Sequence, residues 1–198
     1  MKKYTISKAQ IQQIGITGIW KDRHDENAII AIKEELKRAK GELLLAGVAL
    51  PDFFKGMPAK FTPEIFALMQ KPSVKLRILL LNPKGVHAKE RGIIESARFT
   101  KIDIEETIKH LKQVTPRASV VVHTYNFPPM AFLIITNRCV FIEQYHYGSP
   151  RGDLGCTGGQ TPFMRLDKTS VTYKIMKEHF EYIWAEKSKE IINKREPK

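Results

Sequence analysis

Apolar residues in this sequence fall into two patterns, continuous runs and helical stripes. The runs are short, rich in Leu, Ile, Val and Phe, and bounded by Gly, Pro or Asn, which is typical of strands buried on both faces of a sheet. They occupy residues 42–50, 75–81, 118–123, 131–136 and 139–143. The last three fall within residues 118–148, so this stretch is expected to hold the centre of a sheet, with polar side chains at its strand ends.

Helical stripes separate several of these runs. Asp25 is a good N-cap for a first helix, which Gly41 ends, and Thr62 followed by Pro63 predicts the N-cap and first turn of another. Further stripes predict helices over residues 89–99, over residues 103–114 and after residues 167–170. Strands that alternate with helices predict an α/β fold in which a mixed sheet carries helices on both faces.

The remaining segments have weaker patterns. Residues 15–20 are apolar and punctuated by glycine, which favours an extended segment that packs on the domain. Residues 149–161 are rich in Gly, Ser and Thr and predict a loop. Residues 163–166 are expected to return as a short edge strand.

The sequence shows neither an internal repeat nor a linker. Residues 1–198 are therefore predicted to form one domain, with its core at about residues 15–185. Beyond Ala185 the periodicity fades, and residues 186–198 are expected to be a basic C-terminal tail.

The composition is that of an ordinary globular protein. Hydrophobic residues make up 42% of the 198 residues and charged residues 27%. No run approaches the roughly 18 to 20 apolar residues needed to cross a bilayer, and the first residues lack the apolar core of a secretory signal. We therefore expect no membrane insertion and a cytoplasmic location.

The formal net charge of +12 is the unusual bulk property of the chain. Such a charge favours association with nucleic acid, nucleotides or another anionic surface. The alternative is that the lysines lie on solvated helix faces and in the tail, where they need no partner.

The two cysteines, Cys139 and Cys156, indicate neither a disulfide framework nor a metal site. Cys139 lies inside an apolar run, where a buried thiol behaves as a small hydrophobic group. No CxxC pair or close histidine pair provides the spacing of zinc ligands. No metal ion and no cofactor are expected.

Four segments together resemble a phospholipase D-like domain: GELLLAGVALPDFF, KLRILLLNP, VVVHTYNFPPMAFLIITNRCVFIEQYHYG and HFEYIW. The resemblance covers roughly residues 15–185 and rests on the order and pattern of the strands. It is greatest to a divergent bacterial branch of that superfamily, which lacks the catalytic signature. The resemblance implies a single-repeat phospholipase D-like fold.

Active members of that superfamily carry the motif H-x-K-x-x-x-x-D on a strand of this hairpin. The histidine attacks phosphorus, the lysine holds phosphate oxygens and the aspartate supports the site. Alignment places Pro129, Ala131 and Thr136 at these positions, and a shift by one residue places Met130, Phe132 and Asn137 there. Neither register keeps a catalytic residue, so the resemblance implies a degenerate, non-catalytic domain for ligand sensing or protein contact. In this branch such domains often accompany a separate regulatory or defence-type effector protein.

Polar side chains near the ends of the predicted strands are the candidate ligand-binding residues, because open α/β sheets bind ligands beyond the carboxyl ends of strands. An arginine fork suits a phosphate or carboxylate, and an aromatic ring beside a histidine suits stacking on a base. The candidates are Asn82, Arg91, His123, Tyr125, Gln144, Tyr145, His146 and Arg165.

Several candidates also have a structural interpretation. Arg91 lies four residues before Glu95 and is well placed to pair with it. His123 fits a hydrogen-bonded structural histidine, and Tyr145 with His146 fits a cap on the edge of the sheet. Arg165 is placed to bridge to Asp167. Ordinary structural roles are likewise expected of Arg23, Asp52 and Asp167.

These residues support three hypotheses. The first is a non-catalytic domain that binds an anionic ligand, a nucleotide or another phosphate-bearing molecule, in a regulatory role. The second is a phosphodiesterase or nuclease that uses replacement residues such as His123 and His146, in a site built from two chains of a homodimer. The third is a basic module that contacts nucleic acid or a partner protein. The sequence does not decide whether the chain is an enzyme, although the missing motif favours the first hypothesis.

Overall fold

A computed structural model describes residues 14–54, 60–94, 100–114, 116, 118–145 and 161–194. Its strands are β1 (Ile16–Trp20), β2 (Glu42–Gly47), β3 (Lys75–Leu81), β4 (Ser119–Tyr125), β5 (Ala131–Ile135), β6 (Cys139–Gln144), β7 (Phe163–Asp167) and β8 (Ser188–Lys194). Its helices are α1 (Glu26–Arg38), α2 (Pro51–Phe54), α3 (Thr62–Met69), α4 (Val86–Ile94), α5 (Thr100–Gln113) and α6 (Val171–Tyr182), which continues into the π-helical turn Ile183–Lys187.

The strands form one mixed sheet in the order β1-β7-β6-β5-β2-β3-β4-β8. Strands β2, β3 and β4 are parallel, and each of the remaining pairings is antiparallel. As a result β1, β2, β3, β4 and β6 all end on the same side of the sheet, which we call the carboxyl edge. The opposite side is the amino edge, where β2, β3, β4 and β6 begin.

Helices cover both faces of this sheet. Phe132 and Leu133 follow one another in β5 and therefore point to opposite faces. The ring of Phe132 lies 6.0 Å from that of Phe53 in α2, whereas Leu133 lies beside Phe180 of α6. The α/β fold with a mixed sheet and helices on both faces, predicted from the alternating elements, is confirmed.

Local sequence signals explain several element boundaries. Asp25 caps α1 as predicted, since its carboxylate accepts a hydrogen bond from the backbone N–H of Asn27 at 2.8 Å. Ser170 caps α6 in the same way through the N–H of Tyr173 at 3.0 Å. The predicted N-cap role of Thr62 is wrong: this residue lies inside α3, and its hydroxyl donates to the Phe53 carbonyl at 3.1 Å.

The prediction of a basic tail after Ala185 is wrong for residues 188–194. These residues form β8, which pairs antiparallel with β4 at the edge of the sheet. An edge strand exposes much of its length, and only Ile192 is fully buried in β8, so the segment lacks the apolar run that marks the inner strands. Residues 195–198 lie outside the described part of the chain.

Two further predictions fall partly or wholly on residues that the structure does not describe. Most of the loop predicted over residues 149–161 lies there, together with Cys156. Cys139 is described and is a buried free thiol in β6. Among the described helices, none combines the length and the apolar character needed to cross a bilayer.

Candidate functional site

A cavity of about 200 Å³ lies at the carboxyl edge, between the end of β2, the start of β5 and the end of β6. Elements that are distant in sequence meet there, because β1, β2 and β6 all end on this side of the sheet. We call it the edge cavity. Its lining residues are Arg23, Val48, Ala49, Leu50, Pro51, Asp52, Arg91, Thr100, Asp103, Phe132 and Tyr145.

One wall of the edge cavity is backbone that leaves the sheet after β2. Leu50 is buried and has φ +55°, a conformation that non-glycine residues seldom adopt. The Thr107 hydroxyl donates to the Ala49 carbonyl at 2.8 Å, and the Leu81 N–H donates to the Val48 carbonyl at 3.1 Å. These bonds hold the strained turn in place. Strained backbone that is held by its surroundings is concentrated at binding sites.

Arg23, from the segment between β1 and α1, reaches into this cavity. Its Nη1 donates to Glu143 Oε2 at 3.1 Å, and its guanidinium lies 5.1 Å from the centre of the Phe132 ring. Its Nε is buried, lies 3.6 Å from Asp52 Oδ2 and has no hydrogen-bond acceptor among the described residues. Burial works to lower the pKa of Arg23, but the carboxylates of Glu143 and Asp52 and a hydrogen bond with Tyr145 raise it overall.

Arg91 and Tyr145 form another part of the lining. Arg91 is only 1% exposed, and its guanidinium lies 4.6 Å from the centre of the Tyr145 ring. Burial raises the pKa of Tyr145 despite the opposing effect of Arg23 and Arg91, so its hydroxyl is protonated at neutral pH. Tyr145 thus connects the two arginines through one neutral side chain.

The cavity brings two guanidiniums together with three carboxylates. Asp52 and Asp103 line it beside Arg23 and Arg91, and the fully buried Glu143 pairs with Arg23 at 3.1 Å. A buried arginine is tolerated only when acceptors satisfy its charge and its hydrogen bonds. The Arg23–Asp52 contact at 3.6 Å is longer than a hydrogen bond, so Arg23 Nε has an ion-pair partner but no close acceptor among the described residues.

The structure brings two of the predicted site residues, Arg91 and Tyr145, together in the edge cavity. Tyr125 is buried nearby, and its hydroxyl donates to the Gly47 carbonyl at 3.4 Å. Asn82 shapes a turn, since its side-chain oxygen accepts the Lys84 N–H at 3.0 Å.

The remaining candidates predicted at this edge are Gln144 and His146. Gln144 is exposed, and its carbonyl accepts a hydrogen bond from the Thr161 hydroxyl at 3.1 Å. His146 lies outside the described residues, as does Glu95, the predicted partner of Arg91.

His123 lies on the face of the sheet that α6 covers, not in the cavity. Its ring stacks on Trp184 at 3.7 Å between centroids, and its Nδ1 lies 2.7 Å from the Ser188 hydroxyl. Burial lowers its pKa, although Glu190 and Trp184 act in the opposite direction. These contacts correspond to the hydrogen-bonded structural histidine that was the alternative interpretation.

Arg165 also lies away from the edge cavity. Its Nη2 contacts Glu35 Oε2 at 3.2 Å, and Thr136 donates to the other Glu35 oxygen at 2.9 Å. Asp167 accepts the Thr169 N–H at 2.9 Å and begins the turn before α6. Arg165 therefore helps to hold α1 against β7 and the turn between β5 and β6.

The sequence predicts only structural roles for Arg23 and Asp52, and it does not single out Glu143 or Asp103. The sequence contains one signal for Glu143, because a carboxylate directly after a buried apolar run needs a cation or hydrogen-bond donors if it is buried too. The identity of that cation depends on tertiary structure, since Arg23 is 120 residues away in sequence.

No model of a known protein family matches this sequence, and no characterised protein matches it in sequence. Solved structures are similar in fold. NucT from Helicobacter pylori matches with a TM-score of 0.52 at 10% identity, over 86% of this chain and 96% of that one. This match supports the phospholipase D-like fold that the sequence resemblance implied.

Two other similarities have lower TM-scores. TrmBL2, an archaeal chromatin protein that shows a novel mode of DNA binding, gives 0.48 at 16% identity over 86% of this chain. The phosphatidylserine synthase of Haemophilus influenzae Rd KW20 gives 0.47 at 11% identity over 87% of it. This chain spans 52% of the TrmBL2 chain and 39% of the synthase chain.

Proposed function

We propose that the chain is a non-catalytic phospholipase D-like domain that binds a small phosphate-bearing ligand in the edge cavity and acts as a regulatory module. One observation carries the proposal: the guanidiniums of Arg23 and Arg91 line the same cavity and meet at Tyr145. Two arginine forks and a tyrosine hydroxyl suit the oxygens of a phosphate group.

The contacts of Arg23 support an anion as the ligand. Its Nε has no hydrogen-bond acceptor among the described residues, and Asp52 is near enough to attract it but too far to accept a good hydrogen bond. A phosphate oxygen on this side of the guanidinium would supply the missing acceptor. Arg91, which is buried against Tyr145, would then hold a second oxygen.

The size of the cavity limits the ligand. A cavity of about 150 Å³ accommodates benzene, and the edge cavity measures about 200 Å³. It therefore has room for a phosphate and a few further atoms, and the rest of a nucleotide would extend out of it.

The residues at the catalytic positions support a non-catalytic role. Pro129, Ala131 and Thr136 have neither the nucleophile nor the cation that phosphodiester cleavage of this kind uses. The described lining of the cavity contains no histidine or cysteine. The ring of His123 is held by Trp184 and Ser188 on the α6 face.

Thermal shift with inorganic phosphate, pyrophosphate and AMP, at matched ionic strength, tests the proposal. A ligand at 100 times its Kd stabilises a protein by about 2.7 kcal/mol, which raises the Tm of a domain of this size by about 5 to 10 °C. Arg23→Lys and Arg91→Lys keep the charge but lose the fork, so they should lose most of this shift.

Arg38→Lys is the matched control, because Arg38 is exposed on α1 and pairs only loosely with Glu34 at 3.8 Å. It should keep the full shift. The proposal is wrong if none of these anions stabilises the unmodified protein, or if all three variants respond alike.

A further inference from the structure

Basic side chains are concentrated along the amino edge, on the opposite side of the sheet from the edge cavity. They come from the ends of α1 and α5, from the starts of β3 and β6, and from the turns around β2 and β7. We call this set the basic edge. Its exposed members are Arg38, Lys40, Lys75, Lys112, Arg138 and Lys168.

Backbone contacts place these residues on one continuous edge. The Lys75 N–H donates to the Gly41 carbonyl at 2.7 Å, which puts Lys75 beside Lys40. At the other end of the row, the Lys168 N–H donates to the Arg138 carbonyl at 3.0 Å. Lys194, at the end of β8, extends the row, and its Nζ donates to the Lys112 carbonyl at 2.8 Å.

Acidic residues neutralise this edge only in part. The buried Glu35 lies 3.8 Å from Arg138, and Asp167 lies beside Lys168, so each offsets one cation of this edge. Glu42 pairs with Arg77 at 3.3 Å. Glu34 lies 3.8 Å from Arg38.

The helix dipole explains basic residues in the last turns of α1 and α5, but Lys40, Lys75 and Lys168 lie in turns or at the start of a strand. The dipole therefore does not account for these three lysines.

The carboxyl edge has a different charge pattern. There Lys21, Lys84 and Lys89 alternate with the acidic residues Asp22 and Glu90. The positive charge of the described residues is thus not spread evenly around the fold. Such an uneven distribution is expected if the basic residues bind an anionic partner.

The basic edge also has the dimensions of a backbone-binding surface. Neighbouring strands lie about 4.8 Å apart, so the five steps from β7 to β4 span about 24 Å. Duplex DNA carries a charge every 1.7 Å or so along its axis, and 24 Å corresponds to about seven base pairs. A narrow row of cations fits a phosphate backbone better than it fits the broad plane of an anionic membrane.

We propose that the basic edge binds the sugar–phosphate backbone of a nucleic acid, without reading its sequence. Lysines that contact phosphates release counterions, and each such contact contributes about 0.9 to the slope of log K against log salt concentration. This binding surface is separate from the edge cavity, so a ligand there and a nucleic acid on the basic edge can occupy the domain together.

Fluorescence anisotropy with a labelled 20-base-pair duplex, across a salt series, tests the inference. The triple variant Lys40→Gln, Lys75→Gln and Lys168→Gln should bind at least ten-fold more weakly at 100 mM salt, with a slope lower by about 2 to 3. These side chains are exposed, so the Tm should not change.

The control triple variant is Lys21→Gln, Lys84→Gln and Lys89→Gln, which removes the same charge from the carboxyl edge. It should keep the slope of the unmodified protein. Equal weakening by both triple variants, or no binding of the duplex by the unmodified protein at low salt, would overturn the inference. Binding to phosphatidylserine vesicles but not to the duplex would overturn it in favour of a membrane surface.

Arg91→Lys separates this inference from the proposed function. Because Arg91 is buried at the carboxyl edge, this variant should bind the duplex normally even where it loses the anion-induced thermal shift.

Discussion

The guanidinium of Arg91 lies 4.6 Å from the centre of the Tyr145 ring, and Arg91 is only 1% exposed. A cation over an aromatic face contributes about 2 kcal/mol when water is excluded. This contact joins α4 to the end of β6 and forms one wall of the edge cavity.

A double-mutant cycle measures the energy of this contact. Tyr145→Leu removes the aromatic face, and Arg91→Lys removes the planar fork. We expect each change to lower the free energy of unfolding by about 1 to 3 kcal/mol, with a coupling energy of about 1 kcal/mol. Urea unfolding of the two single variants and the double variant checks this. Strict additivity would mean that the two side chains touch without stabilising each other.

A second prediction concerns the pH dependence that arises from His123. Burial lowers the pKa of His123 in the folded protein, with Glu190, Trp184 and Arg77 as the other neighbours that affect it. The unfolded chain therefore binds a proton first, and stability is lost as the pH falls below the ordinary histidine pKa of about 6.5. His123→Phe keeps a ring against Trp184 but cannot titrate. Its free energy of unfolding should fall less steeply between pH 7.5 and pH 5.5.

His24 and His179 also have lowered pKa values because of burial, so part of the pH dependence should remain in His123→Phe. His87→Phe provides a comparison on α4, where the histidine is half-buried and lies 3.0 Å from Glu90. If the slope of stability against pH is the same in His123→Phe and in the unmodified protein, His123 is not a source of the acid sensitivity.

The third prediction tests the assignment of residues 188–194 as a strand. Ile192 is 7% exposed and packs into the core, whereas its neighbour Ile191 is only partly buried. Truncation of a buried isoleucine costs about 2 to 5 kcal/mol. We expect Ile192→Ala to cost about 2 to 3 kcal/mol and Ile191→Ala clearly less. Hydrogen exchange of the β8 amides provides an independent check, and rapid exchange throughout β8 would contradict the pairing with β4.

Much of the fold could be predicted because its inner strands are nearly continuous apolar runs. Leu43, Leu44 and Leu45 are each at most 1% exposed in β2, so the run in the sequence directly reflects burial on both faces. The edge strand β8 could not be found in this way. Its pairing with β4 is satisfied by backbone hydrogen bonds, and a single buried side chain leaves no periodic signal.

The candidate site could be predicted only in part. Arg91 and Tyr145 follow strands in the sequence, and a rule about strand ends is enough to single them out. Arg23 follows β1. This strand pairs with β7, which lies near the opposite end of the chain in sequence. Its contact with Glu143 depends on the order of strands in the sheet, which local patterns do not reveal.

Nitrogen-15 NMR of the arginine Nε–H groups, titrated with inorganic phosphate and pyrophosphate at constant ionic strength, tests whether Arg23 and Arg91 together bind a phosphate group in the edge cavity. The signals are assigned through Arg23→Lys and Arg91→Lys. If both guanidiniums bind phosphate, the Arg23 and Arg91 signals should show saturable shifts, while the exposed Arg38 signal stays in place. Shifts that do not saturate, or that are equal for all arginines, would rule out a phosphate site formed by these two residues.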